Sequence, residues 1–394
     1  MEMIWTRRGF LAGTVGAGAA QLACGPSKHE ALRAYAFVAN SEGATVAVAD
    51  LATFAVARQI RLDDQPSQVI APGGGGSVYV LTPLSGSLHE IAVQHLKVQR
   101  KVRVGQTAVS MRLAPDETAI YVLLAQPRKL VRVSLERFAV DWQLPLPMAA
   151  TNFDLGAYFD PAIKAIRHVG AVGFGSGGFA FFDPAARKLF PVIALDGEVG
   201  AVRFQYDNES DNVLIVANLS GRSLSVYSTA RRRCIVELPL KNRPDHLCFN
   251  DNKGQLFVTG EGSDAVSIVY PYRTPEVAET VLAGRQPGAM GVSSNPAYLF
   301  IANPTSGDVS ILNSDHKMIG VVRVGEEPCF IATTPNSDFA LVLNRKSGDM
   351  AVLRIGTLIG RRHQGVPASA LKSASLFTMI PVGSAPVSVA VQML

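Results

Sequence analysis

Histidine and cysteine are the residues that most readily do metal or nucleophilic chemistry, and this 394-residue sequence holds seven of the first and four of the second. His29, His89, His95, His168, His246, His316 and His363 never stand three to five positions apart. No His-Glu-x-x-His pair is present, and the absence of Cys-x-x-Cys-His excludes covalent c-type haem. There is no Gly-x-Ser-x-Gly nucleophile elbow and no Gly-x-x-x-x-Gly-Lys-Ser/Thr phosphate loop. The glycine runs at 73–76 and 173–178 read as a turn and a tight hairpin, the second lacking a following lysine. Any site must therefore be assembled from residues far apart in the chain. The candidates are Arg112, Asn152, Asp154, Arg203, Asp245 and His246. Arg112, Asp154 and Arg203 could form an Arg-Asp-Arg bridge, either a structural clamp or an anion site; a clamp is the simpler reading, because a buried charge needs a partner. Asp245-His246 is the adjacent acid and imidazole of the set, and a hydrolase would use such a pair to activate water. Glu326-Glu327 could supply calcium ligands on a loop, although a solvated turn is the better reading.

These candidates stand out because of the elements that carry them. A short apolar run bounded by turn residues recurs along the chain: AFVAN at 36–40, VYVLT at 78–82, IYVLL at 120–124, LIVAN at 214–218, LFVTG at 256–260, LFIAN at 299–303 and ALVLN at 340–344. A degenerate copy lies near 168–172. Such runs read as strands buried on both faces. Before each stands a proline, or its substitute, at Pro66, Ala108, Ala150, Val199, Pro244, Pro287, Pro328 and Pro386, spaced by 42, 42, 49, 45, 43, 41 and 58 residues. A period in the low forties with strands throughout predicts the four-stranded blades of a β-propeller.

Counted from these marks, the third position beyond is always apolar (Val69, Met111, Phe153, Val202, Leu247, Met290, Ile331, Val389) and reads as packing between blades. The second position beyond is mixed: Gln68, Ser110, Asn152, Ala201, His246, Ala289, Phe330 and Ser388. It is the register expected to approach the central channel, and Arg112, Asp154 and Arg203 stand two further on.

The expected fold is all-β, an eight-bladed propeller over residues 34–394, with seven blades as the alternative if the irregular fourth unit is not a blade. The chain begins with a second strand and ends with a lone first strand at 385–391, which should complete the N-terminal blade and close the ring. Two stretches exceed the period. Residues 156–164 are expected to lengthen the first turn of unit four, and 356–378, with Arg361, Arg362, His363, Pro367 and Lys372, to form an insertion in unit eight. Long loops in compact repeats are often functional.

Composition agrees with a folded, strand-rich chain: 48% of residues are apolar and 18% charged, which argues against disorder. The net charge is +5, with no Lys/Arg run interleaved with aromatics, so no nucleic-acid partner is indicated. Residues 1–24 stand apart from the fold and 25–33 read as a linker. Thr6-Arg7-Arg8-Gly9-Phe10-Leu11 resembles a twin-arginine export signal, and Leu22-Ala23-Cys24-Gly25 resembles a bacterial lipoprotein cleavage box, which implies lipidation of Cys24. The apolar part is too short and glycine-rich for a membrane span. These resemblances imply a periplasmic or outer-surface location with a lipid anchor. Of the remaining thiols, Cys234, Cys248 and Cys329, at least one must be unpaired. Buried structural thiols are expected, and a Cys234–Cys248 disulfide stays open.

The repeat resembles the YVTN family of β-propeller proteins. Val324-Gly325-Glu326-Glu327-Pro328 matches its opening motif, and Phe300-Ile301-Ala302-Asn303 with Ser306-Gly307-Asp308-Val309-Ser310-Ile311-Leu312 matches its middle. The resemblance implies an exported propeller. It leaves the activity open, because relatives of the broader fold include lactonases and proteins holding haem or a quinone, and a fold does not settle function. The leading expectation is a non-catalytic binding or scaffold protein of the cell envelope, without cofactor or metal, meeting another envelope protein or a small ligand at one face. The alternative is a lactonase-like hydrolase or a redox protein with a non-covalent cofactor in the channel.

Overall fold

The apolar runs fold as the second strands of antiparallel sheets. Val213–Asn218 and Phe339–Asn344 are buried at every position, so each has neighbours on both faces. Outer strands behave differently: Lys97–Arg103 alternates exposed and half-buried residues, and its charges blunt a free sheet edge. The computed structural model describes residues 33–160, 163–205, 212–271, 274–360 and 376–394. The leader with Arg7, Arg8 and Cys24, and the insertion residues Arg361, Arg362, His363, Pro367 and Lys372, lie outside the described residues.

Eight four-stranded antiparallel sheets form the ring of a β-propeller. Their inner strands are Pro386–Met393 for blade 1, then Gln68–Ile70, Thr107–Leu113, Asn152–Asp160, Val199–Gln205, His246–Phe249, Met290–Ser294 and Pro328–Thr333 for blades 2 to 8. Blade 1 is completed from both ends of the fold, as expected. Pro386–Met393 pairs antiparallel with Ala34–Asn40, Val391 opposite Ala36 and Val389 opposite Val38. The core lies between blades. Phe153, Phe174 and Phe182 of blade 4 pack with Tyr121, Leu130 and Trp142 of blade 3, and a fully buried Phe or Leu contributes about 1.5–3 kcal/mol.

The fourth unit is a blade, which removes the seven-bladed alternative. Its outer strand is only Lys188–Leu189, and its glycines allow close packing: a Cβ on Gly170 would sit 2.0 Å from the Phe182 ring. Residues 156–160 do not lengthen a turn. They continue the inner strand, which pairs with Ala165–Phe174 as far as Asp160 opposite Ala165, because Gly156 lets the Phe204 ring of blade 5 lie against its backbone. The insertion in blade 8 is also bounded differently. It opens with a short helix, Gly356–Gly360, and the outer strand has begun by Leu376.

Antiparallel meanders sort the turns onto two faces. The turn face carries the inner-to-second and third-to-outer turns. The connection face carries the second-to-third turns and the links to the next blade. Arg33 and Leu394 meet on the turn face, where Leu394 N–H donates to Arg33 O at 2.8 Å.

Candidate functional site

The mixed register of the inner strands does not simply open into the channel. At Ser388, Gln68 and Asn152 it ties a blade to the backbone of the next. Ser388 Oγ of blade 1 accepts from Val69 N of blade 2 at 3.2 Å, and Gln68 Oε1 of blade 2 accepts from Met111 N of blade 3 at 2.6 Å. Asn152 Oδ1 of blade 4 accepts from Val202 N of blade 5 at 3.3 Å, and Asp154 Oδ2 accepts from Phe204 N at 2.9 Å. Inner strands have no neighbour strand on the channel side, so side chains supply part of the cohesion there.

The structure brings four of the six candidates together. Asp154 Oδ1 lies 3.7 Å from Arg112 Nε. Arg203 Nη1 donates to Asn152 Oδ1 at 3.0 Å and to its own neighbour's carbonyl, Val202 O, at 2.8 Å. Burial pulls the Arg112 guanidinium down to about 10, with nearby Arg203 adding to the fall and Asp154 opposing it. Arg112 thus pairs with the Asp154 carboxylate and Arg203 with the Asn152 amide, so these four side chains link blades 3, 4 and 5 as a clamp.

Asp245 and His246 stand apart from this cluster. The Asp245 carboxylate is engaged at both oxygens: Oδ2 accepts from Glu261 N at 2.9 Å, and Oδ1 is 3.0 Å from Arg243 Nε. His246 is reached by water, yet the protein around it lowers its pKa, with Asp245 pulling the other way. Glu326 pairs with Lys346 at 3.2 Å and Glu327 with Arg345 at 3.3 Å, so both carboxylates already have cationic partners. All three described cysteines are free thiols. Cys234 is exposed, against the expectation that it is buried, because it begins an outer strand. Burial pushes the Cys248 thiol up to about 12, partly countered by Arg203.

A second pattern, on the turn face, escaped the inner-strand register. Among the described residues, six third-to-outer turns end in a non-glycine residue with left-handed backbone: Phe54, Leu96, Phe138, Arg187, Arg232 and His316, with φ between 49° and 59°. That conformation closes a short hairpin around a type I turn. It also aims the side chain back over the preceding blade, as a latch. Phe54 meets Phe339 of blade 8 at 5.3 Å, Phe138 stacks on Tyr79 of blade 2 at 6.0 Å, and Leu96 joins the cluster containing Phe37 and Val48 of blade 1. Arg232 lies 3.8 Å over the Phe190 ring of blade 4.

Where the latch is Arg187 or His316, a cavity opens in the slot beside it. The blade 3–blade 4 slot holds about 370 Å³, lined by Tyr121, Arg132, Asp141, Trp142, His168 and Arg187 among others. Asp141 Oδ1 is buried there without a hydrogen-bond partner, while Oδ2 pairs with Arg132. The blade 6–blade 7 slot holds about 430 Å³ beside His316. Two wider hollows on the connection face, about 630 and 610 Å³, are formed largely by turn residues such as Ser347, Gly348, Ser176 and Gly177. The signal for the slots was present in the sequence, one or two positions before each outer strand. It becomes visible only when the repeats are aligned on that strand instead of the inner one.

No protein-family model matches the chain, and no curated protein matches it in sequence. Solved structures do match. Dihydro-heme d1 dehydrogenase NirN, in complex with DHE, aligns with a TM-score of 0.68 and 14% identity, covering 94% of this chain and 78% of that one. Apo AztD from Citrobacter koseri aligns at 0.63 and 11%, covering 91% and 97%. A functionally unknown protein from Desulfotomaculum acetoxidans aligns at 0.59 and 10%, covering 91% and 99%. At these identities the likeness is one of fold: the chain is an eight-bladed β-propeller.

Proposed function

We propose that this protein is an exported, non-catalytic binding protein of the bacterial cell envelope, built from YVTN-like repeats, that takes up a small ligand in the slots of its turn face. One observation carries the reading. Gln68, Asn152, Asp154 and Ser388 of the inner strands are engaged in holding blades together, whereas the polar latches Arg187 and His316 leave open cavities of about 370 and 430 Å³, within the range of about 300–1,000 Å³ usual for small-molecule sites. The ring then serves as a rigid frame and the slots as its recognition surface. The location rests on the Arg7-Arg8 and Cys24 motifs.

The test is a ligand screen by thermal shift, with the exported protein and a variant carrying Arg187→Phe and His316→Phe. A ligand present at about 100 times its Kd adds about 2.7 kcal/mol to the stability of the state it binds. Hits should stabilise the wild-type protein and not the variant. Hydrolysis of lactone or ester substrates that disappears with Asp245→Asn or His246→Gln would overturn the non-catalytic reading. For the anchor, the Cys24→Ser protein should leave the membrane fraction; its retention there would refute lipidation.

A further inference from the structure

We infer that the blade 6–blade 7 slot is a binding site for a neutral, polyhydroxylated ligand, a sugar of one or two rings. This deepens the binding reading above and rests on it. The slot is built around a chain of side chains whose donors and acceptors can be assigned. His316 Nδ1 faces Glu279 Oε1, and the carboxylate can only accept, so Nδ1 carries the proton. Nε2 is then an acceptor, taken by the Gln255 amide N–H at 3.2 Å. The same amide nitrogen donates to the Tyr270 hydroxyl oxygen at 3.3 Å. Two groups at the end of this chain are left for a ligand. The Tyr270 hydroxyl still has a proton to donate. Among the described residues, Gln255 Oε1 has only Asn250 Nδ2, at 3.5 Å, as donor.

The surrounding amides are held in place by their own turns. Asn250 Oδ1 accepts from Gln255 N at 3.0 Å, Asn252 Oδ1 from Gly254 N at 3.0 Å, and Asn313 Oδ1 from both Asp315 N and Lys317 N at 3.1 and 2.8 Å. Each keeps its oxygen in the turn and its NH₂ group for other partners. Groups fixed this way lose little freedom on binding.

The ligand class follows from what these groups can and cannot satisfy. Among the described residues no lysine or arginine lines the slot, and Asp251 does, so these residues offer an anion repulsion without a cation to offset it. A metal ion has too few ligands: no group of three His, Cys, Asp or Glu gathers anywhere among the described residues. An apolar ligand would bury the Tyr270 hydroxyl proton without an acceptor and take water from Gln255 Oε1, both unfavourable. A hydroxyl both donates and accepts, so a polyol can meet the Tyr270 proton and Gln255 Oε1 together. The Tyr270 and Phe257 rings, which also line the slot, offer apolar surface to the C–H faces of a sugar ring. His316 does not act as a base here, because its free lone pair already accepts from Gln255.

The latch pattern supplies the decisive variant. His316→Phe places in this slot the residue type found at Phe54 and Phe138, where the slot is filled. Titration calorimetry of the full exported protein should use glucose, galactose, mannose, N-acetylglucosamine, maltose and trehalose, with glucuronate and glucosamine as charged probes. At least one neutral sugar should bind saturably and more tightly than either charged probe. Its affinity should fall about tenfold or more in His316→Phe and in Gln255→Leu, and stay unchanged in Leu84→Ser on the connection face. No saturable binding of any neutral sugar, preference for a charged probe, or undiminished binding by a folded His316→Phe protein would each overturn the proposal. The first outcome, combined with thermal-shift hits that depend on Arg187, would leave the general binding reading standing and remove only this one.

Discussion

At the residue scale, the charges of this protein act mainly between blades. Glu90 shows how. It is 4% exposed and receives Arg100 through two guanidinium contacts and the Tyr79 hydroxyl at 3.3 Å. Arg100 also donates to Glu136 O and Leu135 O of blade 3, both at 2.8 Å. Burial by itself would raise the Glu90 pKa. Hydrogen bonds from Arg100, Ser77 and Tyr79 more than reverse this and hold it below the usual 4.5. A folded-state pKa below the unfolded one means that the contribution is complete above about pH 4.5 and is lost as pH falls through the folded value. Glu90→Gln should therefore cost about 1–3 kcal/mol at neutral pH, the lower part of that range being favoured because Arg100 can rehydrate. It should also flatten the acid limb of a urea-unfolding series between pH 6 and pH 3. Superimposable acid limbs would show that the pair contributes nothing. Counting from Pro66 to Pro386 placed Gln68, Asn152 and Asp154 correctly on inner strands. It could not reveal that their partners are backbone N–H groups of the next blade, because a backbone donor has no signature in sequence. Asp245-His246 meets the same limit: adjacency along the chain says nothing about Arg243 and the Glu261 N–H, which engage the carboxylate.

At the element scale, the third-to-outer turn is the part that varies the surface of one blade type. The left-handed residue costs backbone energy in any blade, so what it does with its side chain decides its value. Phe138 is 6% exposed, stacks on Tyr79 and lies under Arg100. Phe138→Ala should lose about 3–5 kcal/mol, as buried aromatic truncations do. Arg232→Ala, at the same turn position but exposed, should lose no more than about 1 kcal/mol from its cation–π contact. Denaturant unfolding of the two variants separates these values, and equal losses would refute the distinction between buried and exposed latches. The strands themselves were legible because burial on both faces forces runs such as VLIVAN and FALVLN. The extended hairpin of blade 4 was not. Residues 156–160 carry the same mixture of Gly, Ala and aromatic residues whether they turn or continue a strand, and only the pairing of Tyr158 with Arg167 decides the matter.

At the scale of the whole molecule, stability depends on a ring that is closed at one sheet. Asn40 and Ser41 bond to Val382 O and Ala385 O, 342 and 344 residues away. Removing residues 386–394 deletes an entire inner strand and bares the edge of Ala34–Asn40. The truncated protein should show no cooperative thermal transition, and one that melted like the full chain would show the closure to be dispensable. Joining Leu394 to Arg33 through a short glycine linker and opening the chain in the turn at 73–76 should preserve a cooperative fold, because the two ends already meet and blade 2 would inherit the two-part construction of blade 1. Eight blades and their closure could be read in advance because both follow from the order of strand types along the chain. The doubt over blade 4 arose from its glycines, which look like loop until Phe182 and Phe204 are seen to need the space.

The closing strand has a further meaning in time. Pro386–Met393 follows every other described strand in the chain, so it is the last of them to leave the ribosome. Until then Ala34–Asn40, among the first to emerge, waits with its inner edge unpaired. Blades 2 to 8 can form one after another from local contacts, but the ring cannot close until Pro386–Met393 has been made. Every growing chain passes through an open arc with an apolar edge, exposed to aggregation or chaperone capture, and the step that ends this interval is a single strand addition between residues almost the full length of the chain apart.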